Sequence, residues 1–257
     1  MGAKRATKMM RQASQNYQQE TYVLKADFAN FFVTIDKEIL ELILLKTIRT
    51  EWDQWVFRKI LWTDVKKDAL LKSNRALLSQ VPPHKSLFAA PANCGLPIGN
   101  LTSQFFANIY LNELDQHAKH QLKVRYYGRY VDDIVMFGAS GQDLVEHLSK
   151  MSAFANQKLN IAFHPKKTYV NKIEHGVNFV GYIILPHRRY LRRSILSNLM
   201  QKLEQKDFMA EADVPASVNS YLGMLRHVNG YKARRKICQR LEWLGYASDS
   251  KLTKLLT

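Results

Sequence analysis

Three aspartates hold the residue types and spacing that could do chemistry. Asp132 and Asp133 are adjacent, between the apolar segments VRYYGRYV and IVMFG, and Asp27 lies near the end of the β-prone run YVLKADF, more than a hundred residues earlier. Clustered carboxylates repel, and each is pushed toward its protonated form unless a cation sits among them. Mg²⁺ is the natural one, a hard ion that accepts oxygen ligands. Two such ions, about 3.5–4 Å apart, stabilise the attacking and leaving oxygens of an in-line phosphoryl displacement. Asp-Asp also has a purely local use, because Asp is favoured in turns. It points to metal chemistry only if the fold delivers Asp27 to the same place.

The elements that must do so are legible in outline. Tyr22–Phe28 alternates and reads as a strand. Asp36 caps a helix through KEILELILLKTI, and Trp52–Leu78 reads as irregular helix. The run VPPHKSLFAAPANCGLPIG holds four of the seven prolines and reads as loop or edge hairpin. A long helix is expected from Asn100 or Thr102 to about Gln121, then two strands joined at Asp132-Asp133. Gln142–Leu159 has helical spacing, and Asn160–Phe163 is expected as a short strand ending at His164-Pro165. A further strand pair fits Val177–Leu185 and Tyr190–Arg192, and from Ser194 the pattern is helical with a break near Val214-Pro215. The middle therefore follows the β-α-β-β-α-β order of a split βαβ unit. In that order the first and third strands lie side by side and antiparallel. The end of the first then sits beside the turn joining the second and third, and the three carboxylates converge.

Composition narrows the partner. The chain has 257 residues, 46% hydrophobic and 11% aromatic, enough for a sizeable core and too apolar for a disordered tail. Two cysteines, Cys94 and Cys238, exclude a disulfide scaffold and an all-cysteine zinc site, and suit a reducing, cytoplasmic setting. No apolar run reaches membrane-spanning length, and MGAKRATKMMRQ lacks the apolar stretch of a secretory signal. Lys plus Arg is 38 against 22 Asp plus Glu, a net charge of +16 and a pI near 9.8. So basic a chain meets a polyanion, nucleic acid ahead of anionic membrane. Residues 186–257 carry 14 basic and 6 acidic side chains, about half the net charge. A nucleic-acid partner and a carboxylate-held metal pair point to nucleotidyl transfer or phosphodiester cleavage.

A family resemblance sharpens this. Tyr130-Val131-Asp132-Asp133 resembles the catalytic hairpin of reverse transcriptases of the right-hand polymerase type, and Leu24–Phe32 (LKADFANFF) their first palm motif. Pro165-Lys166-Lys167-Thr168 resembles the later lysine motif, and Asn178–Tyr182 (NFVGY) the strand pair that grips the primer end. The second palm motif, Ile98–Gln104 (IGNLTSQ), departs from the common Gln-Gly-x-x-x-Ser-Pro and is similar to the form in diversity-generating retroelements. Ser220–His227 (SYLGMLRH) resembles that subfamily's thumb. The resemblance implies an α+β fold, a palm with a ferredoxin-like core and a helical thumb, over about Tyr22–Lys236. It also implies an RNA-directed DNA polymerase copying template RNA into cDNA from dNTPs, with low fidelity at adenines. Mg²⁺ is the implied cofactor, two ions with Mn²⁺ as a substitute, and a small basic protein is a candidate accessory partner.

Roles follow partly from chemistry and partly from resemblance. Asp27 and Asp132 are the expected metal ligands, with Asp133 a third and the backbone carbonyl of Phe28 a further oxygen. Phe32 is, by resemblance, a bulky gate against a ribose 2′-OH; a core aromatic is the alternative. Gly99 lets backbone approach the nucleotide or template closely. Ser103 and Gln104 open a helix whose positive end faces phosphate, or simply cap it. Ile98 stands where an amide-bearing Gln is usual, a loss linked to relaxed fidelity, or else it packs. Lys167 either protonates the leaving pyrophosphate or neutralises it. Arg226, Lys232, Arg234, Arg235 and Lys236 are expected on the template-primer backbone. Tyr221, Tyr231, Trp243 and Tyr246 either stack on bases or pack the helices. His117 and His120 read as surface or core residues.

The expected domains are 1–21, a remnant of the fingers; 22–185, the palm; and 186–257, a basic helical thumb. The fingers region is thus expected to be largely missing, with Lys4, Arg5, Lys8 and Arg11 as residual phosphate contacts. Two alternatives stay open: a group II intron or retron-type reverse transcriptase, and an incomplete, inactive polymerase that only binds RNA.

Overall fold

The computed structural model describes residues 2–17, 20–67, 69–70, 75–204, 214–243 and 245–256. The chain divides into two compact units, 24–170 and 1–23 with 171–257. The N-terminal helix and the strand pair after the lysine motif thus group with the C-terminal helices, since their apolar faces pack in that unit.

In the 24–170 unit, helices α2 (Phe31–Thr34), α3 (Lys37–Leu45), α4 (Glu51–Trp62), α5 (Leu101–Gln116) and α6 (Gly141–Leu159) accompany strands β2 (Tyr126–Tyr130) and β3 (Asp133–Gly138). Strands β1 (Tyr22–Ala26) and β4 (Tyr169–Lys172) complete a sheet of order β2-β3-β1-β4. The first and third strands are neighbours, as the split βαβ order requires. Strands β1 and β3 are almost wholly buried; IVMFG is a continuous apolar run, whereas YVLKA buries Lys25 among its apolar residues.

Local chemistry sets the boundaries. Asp36 caps α3, its carboxylate accepting from the Glu38 and Ile39 amides at 2.9 and 3.2 Å. Thr50 and Ser140 cap α4 and α6 in the same way, and Asn160 ends α6 in the left-handed region. Helix α5 begins after Asn100 and passes into a wider turn, His117–Gln121. The proline-rich run forms short 3₁₀ turns, not a hairpin.

The fourth strand differs from expectation. Asn160–Phe163 makes only a single bridge, Phe28 to Phe163, and β4 follows the lysine motif instead. The left-handed Asn160 turns the chain on one side, and Pro165, with no N–H, stops the ladder on the other.

In the second unit, α1 (Gly2–Tyr17) buries Ala3, Ala6, Met10 and Ala13 along one face. Strands β5 (Val177–Phe179), β6 (Tyr182–Ile184) and β7 (Arg189–Leu191) form an antiparallel meander. Its first turn, Val180-Gly181, has φ of 52° and 78°, the pattern of a type I′ hairpin turn. Helices α7 (Arg193–Lys202), α8 (Val214–Leu225) and α9 (Tyr231–Glu242) pack Leu199, Val218, Leu222, Ile237 and Leu241 into one core. A short ribbon, β8 (Ala247–Ser248) with β9 (Leu255–Leu256), closes the chain. Among the described residues no helix is long and apolar enough to cross a membrane.

Candidate active site

The chain brings Asp27, Asp132, Asp133 and Lys167 to one edge of the four-stranded sheet. Segment 161–164 lies along residues 27–29: Ala29 N–H donates to the Ala162 carbonyl at 2.9 Å, and His164 N–H to the Asp27 carbonyl at 2.7 Å. Phe28 is buried and its ring stacks on Phe163 at 4.4 Å, fixing the backbone whose carbonyl is a candidate ligand. The His164 ring nitrogen accepts from the Lys166 amide at 3.2 Å and starts the short turn Pro165–Lys167. That turn carries the Lys167 ammonium to 2.9 Å from Asp27 Oδ2.

A second lysine, absent from the sequence reading, completes the cluster. Lys25 Nζ lies 2.8 Å from Asp133 Oδ1 and 3.7 Å from Asp27 Oδ2, and its side chain is nearly buried. The strand alternation could have found it, since Lys25 stands two residues before Asp27 and residues two apart share a face. Burial, then the charges of Asp27 and Asp133, push the Asp132 carboxyl above its ordinary pKa, with Lys167 opposing. The hydrogen bond that Lys167 donates to Asp27 raises the pKa of the lysine above its ordinary value.

Among the described residues no group of three or more carboxylate, His or Cys side chains forms a ready-made metal cage. The donor chemistry nevertheless fits a divalent cation: the ligands would be carboxylate oxygens, and Asp27 Oδ1 is buried with no hydrogen-bond partner. Lys25 and Lys167 supply the compensating positive charge.

The hairpin bearing Asp132 is held from behind. Strands β2 and β3 pair Tyr130 with Asp133 across a two-residue turn, and Val131 has φ of 54°, an unfavourable conformation for a β-branched residue. Arg129, also missed in the sequence, donates to the Val131 carbonyl at 2.7 Å. The same guanidinium grips Asp115 of α5 with two bonds, 2.9 and 2.7 Å, and the Tyr127 hydroxyl donates to Asp115 at 2.6 Å.

The second palm motif is fastened to the first by backbone. Lys37 N–H donates to the Asn93 carbonyl, Gly95 N–H to Ile35 and Leu96 N–H to Phe32, the last at 2.7 Å. Gly95 has φ of 89°, and a Cβ there would press on the Val33 carbonyl oxygen at 3.2 Å, so a side chain would be strained in this conformation. This segment leads into Ile98 and Gly99. Ile98 is 80% exposed and packs into no core, which removes the packing alternative. Gly99 has φ of 108° in open space. Phe32 is half-buried, edge-on to Phe31 at 5.5 Å. Ser103 is buried and lines a cavity of about 240 Å³ with Lys37 and Asn100, while Gln104 is exposed. Asn100, not Ser103 or Gln104, occupies the cap position.

In the other unit, Arg226, Lys232, Arg235 and Lys236 are exposed. Arg234 differs from expectation. It is half-buried and donates to the Leu225 carbonyl at 3.0 Å, tying α9 to the end of α8. Tyr221 and Tyr246 pack on the helical core, whereas Tyr231 and Trp243 are exposed. His117 stacks on Phe154 at 4.3 Å and bonds Gln121.

No curated protein matches the chain by sequence. Among solved structures, telomerase from Candida albicans with a TWJ fragment of telomeric RNA aligns with 95% of this chain and 43% of its own, at 13% identity and TM-score 0.50. Telomerase from Candida tropicalis with the corresponding fragment aligns with 93% of this chain and 40% of its own, at 14% identity and TM-score 0.50. The chain thus spans less than half the length of these telomerase chains, and the likeness is one of fold. The model for "Reverse transcriptase (RNA-dependent DNA polymerase)" matches residues 2–184, which include both aspartate motifs, the lysine motif and the first two strands of the meander. On that match the chain belongs to the reverse transcriptase family.

Proposed function

We propose that this chain carries the polymerising centre of an RNA-directed DNA polymerase of a diversity-generating retroelement, copying template RNA into cDNA from dNTPs. The observation that carries the reading is the meeting of Asp27 with the Asp132-Asp133 hairpin, where Asp27 Oδ1 is left unpaired in a buried site. Asp27, Asp132 and Asp133 would hold the divalent metal, Mg²⁺ by their oxygen chemistry, and the bound metal supplies charge stabilisation for phosphoryl transfer. Lys167, already on Asp27, is placed to hold a proton near the leaving group. Phe32 acts as the sugar gate, and exposed Ile98 faces the nascent pair, where it cannot hydrogen-bond. In this reading residues 22–185 make the palm, residues 186–257 the thumb, and Arg226, Lys232, Arg235 and Lys236 contact the template-primer backbone.

The test is primer extension on a defined RNA template. Asp132→Asn is expected to abolish extension while leaving RNA affinity within about twofold, because the carboxylate serves the metal and the helices serve binding. Extension at the wild-type rate removes the metal assignment. Loss of RNA binding together with extension shows a folding defect instead.

A further inference from the structure

The second unit contains a basic groove built from its own elements. Helix α1 has no acidic residue, and its exposed face presents Lys4, Lys8, Arg11 and Gln15 at spacings of four, three and four, one stripe of the helix. Opposite this stripe stands the β6–β7 turn with His187, Arg188 and Arg189. The groove between them is about 490 Å³ and is also lined by Gln12 and Asn229.

The groove is built rather than incidental. The Arg11 guanidinium donates to the Pro186 carbonyl at 2.7 Å, locking the turn onto α1. Leu185 N–H donates to the Arg188 carbonyl, and Asn229 N–H to the Arg189 carbonyl at 3.1 Å, adding the α8–α9 connection as a third wall. Among the described residues no carboxylate pairs with Lys4, Lys8, Arg188, Arg189 or Arg226, although ion pairs are common elsewhere. The field is felt locally: what burial His227 has, then the charges of Lys4, Arg226 and Arg189, hold its imidazole below the ordinary value.

Uncompensated cations in a concave wall, with neutral amide donors beside them, suit the phosphates and sugars of a nucleic-acid strand. A lipid surface fits less well, because an interfacial helix needs a free apolar face and that of α1 is spent on the core. The position is informative. In a three-stranded meander the β5–β6 and β6–β7 turns lie at opposite ends, and the proposed primer grip is the β5–β6 turn. We propose that the α1/β6–β7 groove binds the phosphate backbone of a template-RNA segment separate from the primer-template duplex at the polymerising centre. The separation, though not the binding, rests on the proposed polymerase reading.

The test uses the full chain with Lys4→Ala, Lys8→Ala and Arg188→Ala combined, all at exposed sites, with thermal melting to check the fold. Binding is measured by salt titration to a long structured RNA and to a short primer-template duplex. The expected result is a tenfold or greater loss of affinity for the long RNA, a salt slope smaller by roughly two, and unchanged binding of the short duplex. Unchanged affinity and slope for the long RNA overturn the proposal. An equal loss for the short duplex also overturns it, by placing the groove on the duplex path. Loss of binding only to phosphatidylserine vesicles overturns it in favour of a membrane surface. Because the RNA arm needs no polymerisation, an inactive polymerase with the expected RNA result leaves the groove standing and removes only the polymerase reading. A triple variant that melts early is replaced by Arg188→Glu alone, expected to lower long-RNA affinity about tenfold; no change overturns the proposal.

Discussion

Val131 is held at a positive φ between the residue that ends β2 and the aspartate with the raised pKa. A β-branched residue there costs about 1–3 kcal/mol, offset by the β2–β3 ladder and the Arg129 bond to its carbonyl. Arg129 is therefore a positioning residue: it touches the turn, and Asp115 fixes its plane. Arg129→Lys should keep the charge on Asp115 but lose the fork that reaches both partners. The expected outcome is a kcat lower by about tenfold to a hundredfold, KM for dNTP nearly unchanged and a small shift in Tm. Steady-state single-nucleotide kinetics and melting check this; KM and kcat falling together with Tm would mean that Arg129 only stabilises the fold. In the proposed reading, Ile98 acts by what it lacks. A Gln there would leave polar groups unpaired beside a wrong base pair, worth about 1–3 kcal/mol. Ile98→Gln should lower misincorporation about tenfold, most clearly opposite template adenine, with correct insertion little changed. Sequencing of cDNA from a defined template reads the result, and an unchanged adenine error removes Ile98 from the fidelity argument.

At the scale of elements, the α3–α4 pair is fastened by Glu41, which accepts from Arg58 at 2.6 Å and from the Trp62 indole at 2.7 Å. The bond from Arg58 holds the Glu41 carboxyl below its ordinary pKa of 4.5, with Trp62 adding and burial opposing. A carboxyl with a depressed folded pKa contributes stability above its unfolded value, and that stability is lost as pH falls through the folded value. Arg58 is substantially exposed and screened, so the contribution is about 0.2–1 kcal/mol. Glu41→Gln should lower Tm by a few degrees at pH 7, and the difference should shrink as pH falls below the ordinary value of 4.5 and through the lower folded one. Melting curves across that range decide it; a difference that persists at low pH would assign the effect to packing. Element boundaries elsewhere follow side-chain chemistry, as at Asp36 and Asn160. The misplaced fourth strand shows where that fails. Residues 160–163 have strand-like composition, but pairing needs a free length of partner, and Asn30, at φ of 51°, turns the first strand away just after Ala29.

At the scale of the whole chain, +16 of net charge needs a polyanion, but each cation has its own role. Arg234 is turned inward onto the Leu225 carbonyl, while Arg235 and Lys236 face outward. Replacing Arg235 and Lys236 with alanine should weaken RNA binding alike for all sequences and reduce the salt slope by roughly one to two. Arg234→Ala should instead cost about 1 kcal/mol of stability with little change in slope. Salt titrations and melting of the two variants separate these outcomes, and a sequence-selective loss at Arg235 or Lys236 would show base reading.

The aspartate pair, the lysine motif, the order of elements and the basic balance are all legible in the sequence, because each is a matter of residue type at short spacing. Asp27 could be tied to Asp132 without coordinates, since split βαβ topology makes strands one and three neighbours. Tertiary structure decided the rest. Lys25 shares a strand face with Asp27, but its contact with Asp133 exists only once β3 lies beside it, and Arg129 gains its role only when α5 brings Asp115 within reach. Gly95 is favoured because its φ is positive and the Val33 carbonyl crowds the place of a Cβ, and Arg234 differs from Arg235 because it faces the end of α8. In each case the deciding partner sits on a different element, so the interaction exists only once packing has brought the two elements together.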